Sequence, residues 1–260
     1  MTDRSAVRSP PSAVADVGVV IVAAGTGSRT GSPELKQFRW LAGKPMLLHS
    51  VQTFLARPDV AMVVCVLPKS HAGDPPPWLF QLDTDRLLVS VGGRERGESV
   101  LAGLEDLPEE VSIVLVHDAA RPFVYDEIID DLIAEARKGV GVLPGQAITD
   151  TLKEVNVEGY VTSTVDRKLF YRAQTPQAFP RAVIEQAYIE ARKRGRFDTD
   201  DAALVEAAGH AVVMLKGSDR LMKITYEHDF AIAEAVWKRI QSGEAAVGPE
   251  GLPGRGNAGP

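Results

Sequence analysis

The chain has 260 residues, 45% of them hydrophobic and 25% charged, with a formal net charge of −6. That size and balance fit one large α/β domain and exclude a low-complexity chain. The acidic surplus argues against a duplex nucleic-acid surface, which needs a basic face, although a few cations and main-chain N–H groups suffice for a nucleotide.

Residues 1–16 are rich in Ser, Pro and Arg and read as a disordered leader. The apolar run Val17–Ala24 is too short to cross a bilayer. Arg4 and Arg8 precede it, as in a signal peptide, but Asp16 abuts the run and Gly25 to Arg29 follow as a phosphate-type loop. A buried strand over Val17–Val22 is therefore predicted. A helix over Met46–Ala56 and a strand over Val60–Leu67 come next. Cys65, the one cysteine, lies in that strand and reads as a core thiol in a reducing cytoplasm. It makes no internal disulfide and has no zinc-type spacing.

Further strands are predicted over Leu87–Val91, Val111–Val116 and Ala211–Leu215. Helices are predicted over Glu98–Leu107, Asp126–Arg137, Pro180–Arg194, Asp200–Ala208 and Glu227–Ile240. Apolar strands alternating with helices point to a mostly parallel, doubly wound sheet in a domain spanning 17–243, with ligands beyond the carboxyl ends of the strands. The stretch 147–173 breaks the alternation: two extended segments turn at Glu158-Gly159, as in an inserted β-hairpin arm. A lone hairpin is marginal in water, so a second subunit is a natural support. Residues 244–260 read as a disordered Gly/Pro-rich tail.

The motifs sit at predicted strand ends. Ala23-Ala24-Gly25-Thr26-Gly27-Ser28-Arg29 offers small residues for close approach to phosphates, plus a cation. A dinucleotide turn would need a third glycine, and Thr30 stands there; no Walker sequence occurs. Lys36 follows on a loop over the same strand end, where a solvated surface charge is the competing reading. Gly92-Gly93 with Ser99 joins a strand to a helix, as a nucleotide contact or as a capped turn. Asp118 closes an apolar strand and could hold Mg2+, with an ion pair to Arg121 as the alternative. Lys223 lies in a short extended run before the last helix.

Together, AAGTGSR, LKQF, GGRERGESV, VHDAARPF, DTLK, TVDR, QTPQAF, DTDDA and MKIT resemble the 2-C-methyl-D-erythritol 4-phosphate cytidylyltransferases of the non-mevalonate isoprenoid pathway. The segments occur in the family's order from residue 17 to about 240. The resemblance implies a Rossmann-like nucleotidyltransferase that forms a homodimer through its β-arm, takes CTP and methylerythritol phosphate with Mg2+, and works in the cytoplasm. It implies that Arg29 and Lys36 steady the triphosphate, and that Arg167 and Lys223 position the acceptor. Ala23, Ala24, Gly25, Gly27, Gly93 and Ser99 fall on the CTP side; Asp118, Arg121, Thr151, Thr175 and Thr199 fall around the acceptor, with Asp118 at the metal. Arg167 and Thr151 lie on the arm and so are expected to serve the neighbouring subunit.

The chain departs from the family at Thr30, where Met is common, and at Leu221-Met222 before Lys223. No cyclase domain, which some family members carry, is expected after the short tail. A ribitol-5-phosphate cytidylyltransferase shares the same nucleotide half. A nicotinamide-dependent oxidoreductase and a non-catalytic nucleotide-binding protein are the readings from other classes.

Overall fold

A computed structural model describes residues 15–25, 34–198 and 200–243. The expected tail and all but the last two residues of the expected leader lie outside them. Asp16, assigned to that leader, is held by both arms of Arg137, at 2.6 and 2.9 Å.

In chain order the elements are β1 (Val17–Val22), β2 (Trp40–Leu41), β3 (Lys44–Pro45), α1 (Met46–Leu55), β4 (Val60–Leu67), α2 (Lys69–Ala72), β5 (Leu87–Val91) and α3 (Arg96–Glu105). There follow β6 (Ile113–Asp118), α4 (Asp126–Ala136), β7 (Gly141–Ala147), β8 (Leu152–Val155), β9 (Val161–Val165), β10 (Tyr171–Ala173) and β11 (Gln177–Pro180). The last are α5 (Arg181–Arg194), α6 (Asp201–Ala207), β12 (Val212–Lys216) and α7 (His228–Gln241).

The main sheet has eight strands among the described residues, in the order β10-β7-β11-β6-β1-β4-β5, with β12 parallel to β7. β1 is central and runs parallel to both β4 and β6. Its continuous apolar sequence follows from that position, because successive side chains enter opposite layers. Val19 and Ile21 join Leu115, Cys65 and the inner faces of α1 and α4. Val20 joins Val64, Val114 and residues of α3, α5 and α6. Burying one such side chain contributes roughly 1.5–3 kcal/mol, so both layers depend on this strand. A third cluster links α7, through Phe230 and Ala233, to Leu41, Met46, Phe123 and Ile224. That cluster brings the segment carrying Lys223 to the sheet edge.

The sheet is mostly parallel, as expected, with antiparallel pairings on one side: β11 runs antiparallel to β6 and β7, and β10 antiparallel to β7. β7 and β11 were not predicted. Their sequences, GVLPGQA and QAFP, lack a β-branched run. The predicted strand Val111–Val116 is shifted and runs Ile113–Asp118. The arm is narrower than expected, since Ala147 and Tyr171–Ala173 pair within the main sheet. Its hairpin is the separate β8–β9 sheet, with Leu152 opposite Val165.

Candidate active site

The carboxyl ends of β1, β5 and β6 share one edge and open onto a cleft of about 300 Å³. Ala23, Ala24, Gly25, Gly93, Ser99, Lys36, Asp118 and Lys223 all line it. These expected site residues are therefore brought together.

The lining is fixed by local bonding. Buried Gln37 donates from one amide nitrogen to the carbonyl oxygens of Ala23 (2.6 Å) and Gly25 (3.2 Å), tying down the start of the glycine loop. Lys36, one residue earlier, donates to the Ile224 carbonyl at 2.8 Å, so its ammonium links the first loop to the Lys223 segment. Gly92 meets Ala24 so closely that a Cβ would lie 2.2 Å from the alanine methyl. A side chain at 92 would push the loop off the strand end. Ser99 donates to the Glu95 carbonyl at 3.1 Å and accepts the Gly93 N–H at 3.2 Å. It thus shapes the loop as well as lining the cleft.

Asp118 is the electrostatic centre. Its side chain accepts from Lys223 Nζ at 2.6 Å and from Arg96 Nε at 3.1 Å. Burial alone would raise its carboxyl pKa, but the Arg96 and Lys223 charges outweigh that and hold it well below the usual carboxylate range. Arg96 in turn grips wholly buried Asp201 with two bonds, 3.0 and 2.7 Å. Burial opposes its charge, while Asp201 and Asp118 keep it protonated far above the ordinary arginine value.

Beneath the cleft the Thr175 hydroxyl accepts the Asp118 N–H at 3.0 Å and lies 3.2 Å from His117 Nδ1. The Arg121 carbonyl facing Nε2 can only accept, so in the neutral ring Nδ1 is bare and takes the Thr175 hydroxyl proton. His117 Nε2 then carries the ring proton and donates to the Arg121 carbonyl at 3.0 Å. Burial pushes the His117 pKa down to about 4, so the ring is neutral at pH 7. His117 is structural here and does not line the cleft.

Several expected residues take other places. Arg121 and Thr175 are buried and do not line the cleft. Arg121 donates to the carbonyls of Leu221 and Ala173, which ties the turn before Lys223 to the end of β10. Thr151 and Arg167 sit exposed at the arm, outside the cleft lining, and Arg167 bonds the Thr149 carbonyl. Gly27, Arg29 and Thr199 lie outside the described residues. The sequence reading missed Arg96, Asp201 and Gln37 as separate residues, although each stands inside a quoted motif. The available signal was only that charged residues stand inside those motifs; their burial and pairing come from the fold.

Among the described residues no three His, Cys, Asp or Glu side chains converge to hold a metal. One deprotonated carboxylate in this cleft nevertheless suits Mg2+, which takes few protein ligands and completes its shell with water and substrate phosphates.

The family model for 2-C-methyl-D-erythritol 4-phosphate cytidylyltransferase matches residues 17–239. A relative named bifunctional enzyme IspD/IspF, from Agrobacterium fabrum, is 42% identical over 226 residues, covering 84% of this chain and 56% of that protein. The chain thus spans about half the length of such bifunctional relatives. A 2-C-methyl-D-erythritol 4-phosphate cytidylyltransferase from Syntrophus aciditrophicus is 37% identical over 226 residues, covering 86% of this chain and 96% of that one. The crystal structure of the Thermus thermophilus enzyme of that name superposes with a TM-score of 0.72 at 32% identity, covering 86% of this chain and 99% of that one.

Proposed function

The chain belongs to the 2-C-methyl-D-erythritol 4-phosphate cytidylyltransferase family, and from that premise we propose that it transfers CMP from CTP to methylerythritol phosphate and releases pyrophosphate. The observation that carries this reading is the convergence of Lys36, Lys223 and Asp118 on one cleft beside a glycine-rich strand end. The comparisons with cytidylyltransferases support it.

The acceptor is a phosphate monoester with a second pKa near 6, so it is mostly dianionic at neutral pH. It needs no proton-abstracting side chain, in keeping with a His117 that is neutral, buried and committed to structural bonds. The obstacle is repulsion between a dianion and a polyanion. Lys36 is placed to offset charge along the triphosphate, and Lys223 to hold the acceptor phosphate in line. The main chain at Gly25 and Gly93 leaves room for the nucleotide against the strand ends. Asp118 would hold Mg2+, which when bound supplies further charge neutralisation on the phosphates.

We extend the proposal to a homodimer. The arm exposes Val157 (97%), Tyr160 (73%) and Leu169 (81%), an apolar set suited to a second copy. None of the described helices is long and apolar enough to cross a membrane, and work in the cytoplasm is part of the same proposal.

The test is pyrophosphate release by purified protein with CTP, Mg2+ and each polyol phosphate in turn. Release with methylerythritol phosphate is expected. Release with ribitol 5-phosphate alone would reassign the acceptor, and CTP binding without release would overturn the catalytic reading.

A further inference from the structure

Resting on that reading, we infer that Arg96 is a positioning residue: it holds the Asp118 carboxylate in place while Lys223 exchanges toward substrate, with Asp201 as its fixed counter-charge. The two cations on Asp118 are not equivalent. Lys223 reaches it through one ammonium on a flexible stem, and its side chain is 39% exposed. Arg96 uses only Nε for Asp118 and spends its two terminal nitrogens on Asp201. A planar guanidinium can chelate one carboxylate with its two terminal nitrogens while its Nε addresses a second, a fixed geometry that the single nitrogen of an ammonium cannot reproduce.

Asp201 is immobilised from behind. The buried Tyr188 hydroxyl donates to it at 2.5 Å. The Asp200 side chain caps α6 by accepting the Ala203 N–H at 2.9 Å, and Gln177 accepts the Ala202 N–H at 2.9 Å. The two backbone segments are also keyed together. A Cβ on Gly97, next to Arg96, would lie 2.4 Å from the Phe197 ring, so α3 begins in direct contact with the loop leading to α6. Arg96 therefore cannot follow Lys223 when an incoming phosphate draws that ammonium away. It keeps the carboxylate oriented through the step.

The test compares Arg96→Lys, which keeps the charge but loses the fork, with Asp201→Asn and the double variant. Circular dichroism and melting temperature establish that each is folded. A kcat at least tenfold lower in each single variant is expected, with KM for CTP within threefold of the parent. The double variant should fall no more than threefold below the worse single one. A crystal structure of Arg96→Lys, which needs no activity, should show the Asp118 carboxylate turned from its parent position. Unchanged kcat in Arg96→Lys, a loss carried wholly by KM for CTP, or Asp118 unmoved in the crystal would each overturn the inference. If Asp201→Asn fails to fold, Arg96→Lys and its crystal structure decide. A parent enzyme inactive with every acceptor would overturn the cytidylyltransferase reading, and the crystallographic arm would still judge the role of Arg96.

Discussion

Replacing Asp118 with Asn separates charge from shape at the centre of the cleft. The side chain is 11% exposed and takes hydrogen bonds from two cations. A bond to a charged group contributes about 1.5–3 kcal/mol. The Lys223 share is discounted because that side chain meets solvent. Arg96 keeps Asp201, and the Asn carbonyl can still accept one bond. The expected stability loss is therefore about 1–3 kcal/mol, a shift of roughly 2–4 °C in Tm per kcal/mol for a chain of this size. Turnover should fall much further. Losing the carboxylate that would hold Mg2+ weakens the cation at the reacting phosphates, and losing one such stabilising group costs about 2.7–4 kcal/mol of barrier, on the order of a hundred- to thousandfold in kcat. Binding of CTP without divalent metal should hold or tighten, because a negative charge has left a cleft that receives a polyanion. Calorimetric titration of CTP and a coupled pyrophosphate assay measure the two quantities separately. Turnover within threefold of the parent, or CTP affinity falling in step with turnover, would refute the assignment of Asp118 to the reacting centre.

Burial holds both His49 and His117 at about 4, below the ordinary value near 6.5. The unfolded chain takes up their protons first, so this stability is fully present above about pH 6.5 and is lost as pH falls towards 4. Each ring accounts for up to about 3 kcal/mol. Urea unfolding at stepped pH should show that slope, and His117→Gln should flatten part of it. Gly92→Ala, whose methyl would meet Ala24, should cost about 1–3 kcal/mol by overpacking and raise KM for CTP, read by melting curves and kinetics. Leu169→Glu should leave the fold intact by circular dichroism and shift the protein from dimer to monomer in light scattering.

The layered α/β plan was legible because β1, β4 and β6 are continuous apolar runs, the pattern of strands covered on both faces. β7 was hidden by Pro144 and its glycines, and β11 by its shortness; both are strands by tertiary pairing rather than by local preference. The glycine loops and Asp118 were legible as residue types at strand ends, whereas Lys36 and Lys223 were singled out by the family resemblance. Arg121 was not: its sequence context suggested either an ion pair with Asp118 or a place near the acceptor, and only the fold shows its terminal nitrogens bonded to carbonyls while Asp118 pairs with Arg96 and Lys223. Arg96 pairs with Asp201 across 105 positions of chain, a separation that motif spacing does not encode.

The arm leaves the main sheet at Ala147 and returns at Tyr171, and these two residues face each other across one antiparallel pair. An excursion that starts and ends at neighbouring rungs is a detachable module. A tight turn joining residues 147 and 171 would preserve that pairing, so changes within the excursion bear on what the arm docks against and not on the register of the nucleotide-facing edge.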